Sequence, residues 1–524
     1  MPNFVAVYVP SDTKWSFELE SIRKEVPTSF TVAERVQRCL VALSVTSATM
    51  QAIADFKLGE EQERAFCIDL VKALNLGSTH PRLSFLIAAV EALATQVRAA
   101  LSTRDVYTID AVLAALPVSV RASLADALLF VVRLLRPLPK GARRRRQWAL
   151  CFDELEMAPQ WLQTELLRDL RSTDQRLLLK LTWTPIVPDF LRLHAQPGAD
   201  YDVVRLWNSH VPDFRPFCRM FAERLIKDRL GEEAKSPELL FGRSSFARDE
   251  APKEEEDAYA RGTEVWDAFR TQASSDRHFA TYLKRHGVNP QDPSSAPPEI
   301  RDRVLRKVKP IVLLRDAFRK SSGGRSRKKR SLYSGEDAIY AMSDGNPRWL
   351  AGLLNDLLDA LLKDLQSRGR KKFSLPMRAS LQADVLEAAS RRMVAFIRAF
   401  PVLQGERYET TAGVLVDIVD TLGKRLEVEL LGRDFNSDPI GGFLVDDSLP
   451  NLVRREIERG LLIGALILLS EARSGMPDNL RGARVRLSFM LAPVYKLTFR
   501  NFRAVGLSGL LGSAAHGQRR FPVR

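Results

Sequence analysis

The sequence predicts an α/β fold organised around a parallel β-sheet, and two observations carry that reading. Short apolar runs at 4–9, 148–153, 176–182 and 201–207 read as strands, and helical stretches separate them. One of these runs, Ala149-Leu-Cys-Phe-Asp-Glu154, ends in two adjacent carboxylates. The C-terminal edge of a parallel sheet is where open α/β folds bind ligands.

Phe4 to Val9 is a β-rich run ended by Pro10 and reads as a strand buried on both faces. From Val32 to Arg136 the pattern is helical. Val36, Leu40 and Leu43 keep helical spacing, as do Phe66, Leu70 and Val71, and Pro81 opens an amphipathic stretch from Leu83 to Ala99. A loop from Pro137 to Arg146 ends in four consecutive arginines and leads into the run that carries the carboxylates. Leu162, Leu166, Leu167 and Leu170 then share one face of a helix, Gln160 to Arg171. The next strand, Arg176 to Thr182, is closed by Pro185, and a further one spans Tyr201 to Trp207. Phe214, Phe217, Phe221 and Leu225 mark another helix.

Gly231 to Gly262 is polar, contains Lys253-Glu-Glu-Glu-Asp257 and reads as a mobile insertion; Asn289 to Pro298 and Arg319 to Arg330 are similar. Leu350, Leu353, Leu354, Leu357, Leu358, Leu361 and Leu362 define a strong helix, and Leu381 to Phe400 is another. The remainder alternates helices with a β-like stretch, Arg484 to Leu497.

Length and composition bound the function. At ~150 residues per domain, 524 residues suggest about three domains. With 45% apolar and 27% charged residues, wholesale disorder is excluded. Lys and Arg number 79 against 64 Asp and Glu, and the net charge of +15 leans toward a polyanionic partner. Cys39, Cys67, Cys151 and Cys218 form no CxxC pair, which argues against a disulfide framework and a zinc ribbon and fits a reducing compartment. The six histidines show no HExxH spacing. MPNFVAVYVP lacks a secretory pattern, and the longest apolar run, Leu461 to Leu469, is about half of a membrane span. The expectation is a cytoplasmic protein with no membrane partner.

Three segments carry chemistry. In a strand ending Asp153-Glu154, the Asp suits Mg²⁺ and the Glu suits a water that attacks a γ-phosphoryl group; a strand whose end merely happens to be acidic is the plain alternative. The strand that follows ends Thr182-Trp-Thr184-Pro, with two hydroxyls at its tip that serve equally well as strand caps. Ser343-Asp-Gly-Asn-Pro-Arg348-Trp-Leu350 turns into the leucine-rich helix and fixes Arg348 on its first turn. A guanidinium fork there suits phosphate oxygens, and a capping turn with a solvated arginine is the alternative.

CFDELE, LKLTWTP and DGNPRWL together resemble initiator-type AAA+ ATPases, the origin-recognition clade and its bacterial relatives, across roughly residues 4–365. The resemblance implies an α/β P-loop NTPase core at 1–230 with a helical insertion at about 32–136. It further implies a helical lid at 336–372 and a C-terminal winged-helix-like domain at 373–524, and composition sets a flexible charged insertion at 231–335 between core and lid. It implies ATP and Mg²⁺ as cofactors, with Asp153 on the metal and Glu154 on the attacking water. Thr182 or Thr184 would be sensor 1, and Arg348 would be sensor 2. The sequence does not identify a trans arginine finger; Arg192, between the sensor-1 strand and the next, is no more than a guess.

The chain departs from that pattern in one respect: no GxxxxGK[ST] occurs, and its only Gly-Lys, Gly423-Lys424, is followed by Arg. VAVYVP looks like the strand after the P-loop helix, so two expectations stand side by side, a chain shortened at its N-terminus or a degenerate ATPase. In either case ATP binding should be poor. Basic runs at Arg143 to Arg146, Arg319 to Arg330, Arg368 to Lys372 and Arg519 to Arg524 are solvated loops and tails or DNA-phosphate contacts. Three functions follow: an initiator-like ATPase whose nucleotide state switches its grip on DNA, an oligomer or a protein partner; a non-hydrolysing binding scaffold; or a signal-transduction ATPase of a bacterial defence system.

Overall fold

The structure is a computed structural model and describes residues 4–10, 30–56, 58–76, 80–103, 105–116, 124–134, 147–155, 158–172, 177–182, 201–202, 204, 214–231, 235–247, 259–319, 330–367, 375–399, 414–469 and 480–515. These residues fall into two compact units that divide between residues 203 and 204.

The first unit holds a three-stranded parallel sheet of β1 (Phe4–Pro10), β2 (Gln147–Asp153) and β3 (Leu177–Leu181), in the order β1-β2-β3. The register sets Val7 beside Leu150 and Leu150 beside Leu179, and it sets Pro10 beside Asp153. β2 is central because its residues Trp148 to Phe152 are apolar almost without interruption, and four of those five are buried. β1 behaves differently from the expectation of two buried faces. Val5, Val7 and Val9 are buried against helix Phe30–Ala54, whereas Tyr8 is 56% exposed and Ala6 is exposed. Period-two alternation governs this strand, so one face is covered and the other presents Tyr8.

The helical stretch expected at about 32–136 is present as helices Phe30–Ala54, Glu60–Leu74, Leu83–Ser102, Val106–Ala115 and Leu124–Leu134. Phe30–Ala54 is the hub, packed on β1, on Leu83–Ser102 and on Leu124–Leu134. Three of its buried polar side chains are hydrogen-bonded. Thr46 and Thr49 donate to the carbonyls one turn back, and Gln37 accepts from the Trp161 indole N–H at 2.7 Å. Among the described residues one helix, Leu83–Ser102, is long and apolar enough to cross a membrane by length and composition. Leu83, Leu86, Val90, Val97 and Ala100 on that helix are buried within the unit.

The second unit is helical, with a four-stranded mixed sheet in the order β5-β6-β4-β7. These strands are β4 (Ile440–Leu444), β5 (Leu466–Leu468), β6 (Arg484–Leu487) and β7 (Arg503–Gly506). Helix Arg215–Leu230, expected in the α/β core, packs here against helix Pro347–Ser367. Much of 231–335, expected as a flexible charged insertion, is built structure. Helices Glu264–Ser275, Arg277–Arg285 and Arg306–Phe318 bury Phe269, Phe279, Leu283 and Ile311. Aromatic and aliphatic residues at helical spacing outweigh the local excess of charge. The Asn289–Pro298 stretch is likewise a defined turn: the Asp292 carboxylate accepts from Arg261, Ser294 and, at 3.2 Å, Trp266. Lys253 to Asp257 and residues 320–329 lie outside the described residues, as do Arg143 to Arg146, Arg368 to Lys372 and Arg519 to Arg524. The β-like stretch Arg484 to Leu497 is strand only through Leu487, after which residues 489–495 form short helical turns.

Candidate active site at the end of the middle strand

β2 delivers Asp153 to the C-terminal edge of the parallel sheet, and the backbone there turns abruptly. Glu154 has φ +53, a left-handed value unusual outside glycine, and is exposed, whereas Leu155 beside it is fully buried. Non-glycine residues in this region cost of order 1–3 kcal/mol and concentrate at functional sites. The turn is fastened from both sides. Thr182, just past the end of β3, donates its backbone N–H to Phe152 O at 2.9 Å and accepts the Leu155 N–H on its carbonyl at 3.1 Å. Gln163 donates to the carbonyls of Leu155 and Ala158 at 3.1 and 2.8 Å and holds the exit of the turn.

The side chains converge on Asp153. The Thr182 hydroxyl donates to Asp153 Oδ1, and the Glu154 N–H points at both that oxygen, at 3.1 Å, and Thr182 Oγ1, at 3.0 Å. The Tyr8 phenol donates to Asp153 Oδ2 at 2.9 Å. Both carboxylate oxygens are thus oriented by neutral donors from the two flanking strands.

The structure therefore brings together Asp153, Glu154 and Thr182. Thr184 and Arg192 lie outside the described residues. Arg348 belongs to the second unit, where it is exposed on the first turn of helix Pro347–Ser367 and its N–H donates to Asn346 Oδ1 at 2.9 Å. The expected strand at 201–207 is described only at 201, 202 and 204, where Tyr201 makes an isolated bridge.

Sequence reasoning missed Tyr8. The signal was present, because strict alternation in β1 sets Tyr8 opposite Cys151, one diagonal step from Asp153. Reading β1 as buried on both faces concealed it.

The donor set suits a hard divalent cation, since a carboxylate and hydroxyls are what Mg²⁺ accepts. Among the described residues no group of three or more His, Cys, Asp or Glu side chains is placed to cage a metal. A cation at Asp153 would therefore take most of its ligands from water and from a bound phosphate chain, as Mg²⁺ commonly does.

A parallel sheet with a carboxylate pair at the edge of its middle strand, steadied by a hydroxyl from the next strand, is compatible with a nucleotide-binding core of AAA+ type. The chain belongs to the ORC-CDC6-like family, whose pattern it matches over residues 2–507. That membership makes it, at the coarse level, an initiator-like AAA+ protein of a family that binds ATP with Mg²⁺. None of the curated proteins and none of the solved structures compared with the chain matches it.

Proposed function

We propose that the protein is an initiator-like switch in which the end of β2 carries the metal-and-water half of an ATP site, and that nucleotide state sets its grip on DNA or on a protein partner. The observation that supports this most is the clamped carboxylate of Asp153 beside an exposed Glu154 held in left-handed backbone. Asp153 would hold Mg²⁺, which when bound neutralises the phosphate chain. Glu154 would accept a proton from water, Thr182 keeps Asp153 oriented, and Arg348 would meet phosphate oxygens. The excess of positive charge, +15 over the chain, favours a polyanionic partner such as DNA.

A non-hydrolysing variant of this reading has its own support. The 524 residues contain no GxxxxGK[ST], the loop whose amide nest and lysine normally neutralise a triphosphate. Two carboxylates repel a tetra-anion, and one arginine is a small counterweight. The 524-residue chain is therefore expected to bind Mg²⁺-ATP weakly and to turn it over negligibly.

The test is duplex-DNA binding by fluorescence anisotropy with Mg²⁺-ATP, with Mg²⁺-ADP and without nucleotide. The switch predicts affinities that differ between ATP and ADP in the wild type and coincide in Asp153→Asn. Identical affinities for DNA in all three conditions would refute a nucleotide switch on DNA. Vigorous ATP hydrolysis that Glu154→Gln abolishes would instead show that a complete phosphate site exists in the 524 residues.

A further inference from the structure

The turn that presents Arg348 is fastened to the C-terminal sheet at two places. Asp344, two residues before Asn346, is 4% exposed and has φ +51, a left-handed conformation that its surroundings must hold. Its carboxylate takes three hydrogen bonds from one short stretch at the end of β6: from Arg486 Nη2 at 2.7 Å, from the Ser488 hydroxyl at 2.7 Å and from the Phe489 N–H at 3.0 Å. Arg486 is itself buried, donates to Leu487 O at 3.0 Å and lies 3.8 Å over the Phe489 ring. Burial pushes the Asp344 carboxyl up, and Arg486 with the Ser488 and Phe489 donors pulls against it.

The second fastening lies on the other side of Arg348. Trp349 packs on Gly464, in the link between helix Asn451–Leu462 and β5, so closely that a Cβ there would stand 2.6 Å from the indole. Gly464 also needs its φ of +71. Between these anchors the turn closes on itself: Asn346 N–H donates to Ser343 O at 2.8 Å, and the Asn346 side chain caps the amides of Arg348 and Trp349 at 2.9 and 3.4 Å. Only Asn346, Pro347 and Arg348 in this turn are exposed.

We propose that Asp344 and Arg486 are positioning residues for Arg348, joining the arginine turn to the C-terminal sheet so that the two move as one piece. A local capping turn needs neither a buried ion pair nor a left-handed aspartate held by a strand 142 residues away in sequence. The pair costs desolvation that a hydrophobic contact would avoid, and what it supplies is a fixed geometry. This deepens the proposed function and rests on it for one point, the action of Arg348 on phosphate. A ligand that shifts the C-terminal sheet would then shift Arg348 with it.

The experiment measures amide hydrogen exchange of residues 345–350 in the full chain for wild type, Arg486→Met, Asp344→Asn and Arg315→Met. Arg315→Met is the control: it breaks a buried ion pair with Asp276 elsewhere in the same unit and so reports general destabilisation. The proposal predicts exchange on the order of tenfold faster at 345–350 in the first two variants. It predicts no change there in the control, and partial recovery in Arg486→Lys. Unchanged exchange in Arg486→Met and Asp344→Asn, or an equal rise in the control, would overturn it. If Arg486→Met fails to fold, Asp344→Asn and Arg486→Lys carry the same comparison.

A second arm titrates Mg²⁺-ATP at millimolar concentration. Arg486→Met should weaken binding as much as Arg348→Ala, with no further loss in the double variant. If Arg348→Ala weakens binding and Arg486→Met does not, positioning fails while the phosphate role stands. If Arg348→Ala changes nothing, the phosphate role fails, and the exchange result alone decides whether the turn and sheet are joined.

Discussion

A hydroxyl and a carboxylate hold the end of β2 in place. Thr182 both donates to Asp153 and accepts from the Glu154 amide. Thr182→Val keeps the shape and removes both bonds, leaving the Glu154 N–H on Asp153 Oδ1, at 3.1 Å, to hold the strained turn. A loss of about 1–2 kcal/mol in urea unfolding of the chain is expected, and no loss would mean that the hydroxyl does not hold the turn. Cys67 offers an independent check on the helical core. It is fully buried, and burial, helped by Glu63, pushes its thiol up to about 12. Folding therefore favours the protonated thiol, so its contribution is intact below an ordinary thiol value of about 8.5 and falls as pH rises toward the folded value. Iodoacetamide at pH 8 should leave Cys67 unmodified in the native protein and label it in urea, as peptide mass spectrometry would read. Rapid native labelling would contradict the packing of helix Glu60–Leu74.

Among the elements, three strands of the parallel sheet were legible because each is a short apolar run rich in strand-forming residues, although only β2 is central. The Asp-Glu ending of β2 was legible because local order in the chain and local order at the strand end coincide. What the sequence hid is long-range. Tyr8 meets Asp153 across 145 residues and Asp344 meets Arg486 across 142, and no periodicity encodes a pairing at that distance. Charge also misled at 231–335, where Lys, Arg, Asp and Glu mask the spacing of Phe269, Phe279 and Leu283. The buried Asp276, which takes Arg315 at 2.8 Å and Arg319 at 3.0 Å, turns some of that charge into internal structure. A sharp test of this half of the molecule is Gly335, which has φ +88 at the start of helix Glu336–Met342. A Cβ there would stand 2.7 Å from the Arg243 carbonyl carbon and 2.8 Å from Ser244 N. Gly335→Ala should cost about 3 kcal/mol, because both the backbone conformation and the neighbouring main chain oppose it. Thermal melting within a degree of wild type would show that this turn yields.

For the whole molecule, family membership and sheet geometry converge on an initiator-like AAA+ protein, while the phosphate-cradling motif is missing from the 524 residues. Asp153, Glu154 and Thr182 lie in the first unit, and Arg348 with its anchored turn lies in the second. A different affinity of nucleotide for two states of the chain is what would make it a switch. The claim that the nucleotide's metal sits on Asp153 is tested most directly by titrating Mn²⁺-ATP, a paramagnetic stand-in for Mg²⁺-ATP, into the wild type and into Asp153→Asn, with bound Mn²⁺ followed by electron paramagnetic resonance. Binding is expected to be weak in the wild type and on the order of tenfold weaker in Asp153→Asn, whose amide keeps the shape and loses the charge. Equal binding by the two proteins, or none by the wild type at millimolar nucleotide, would contradict it.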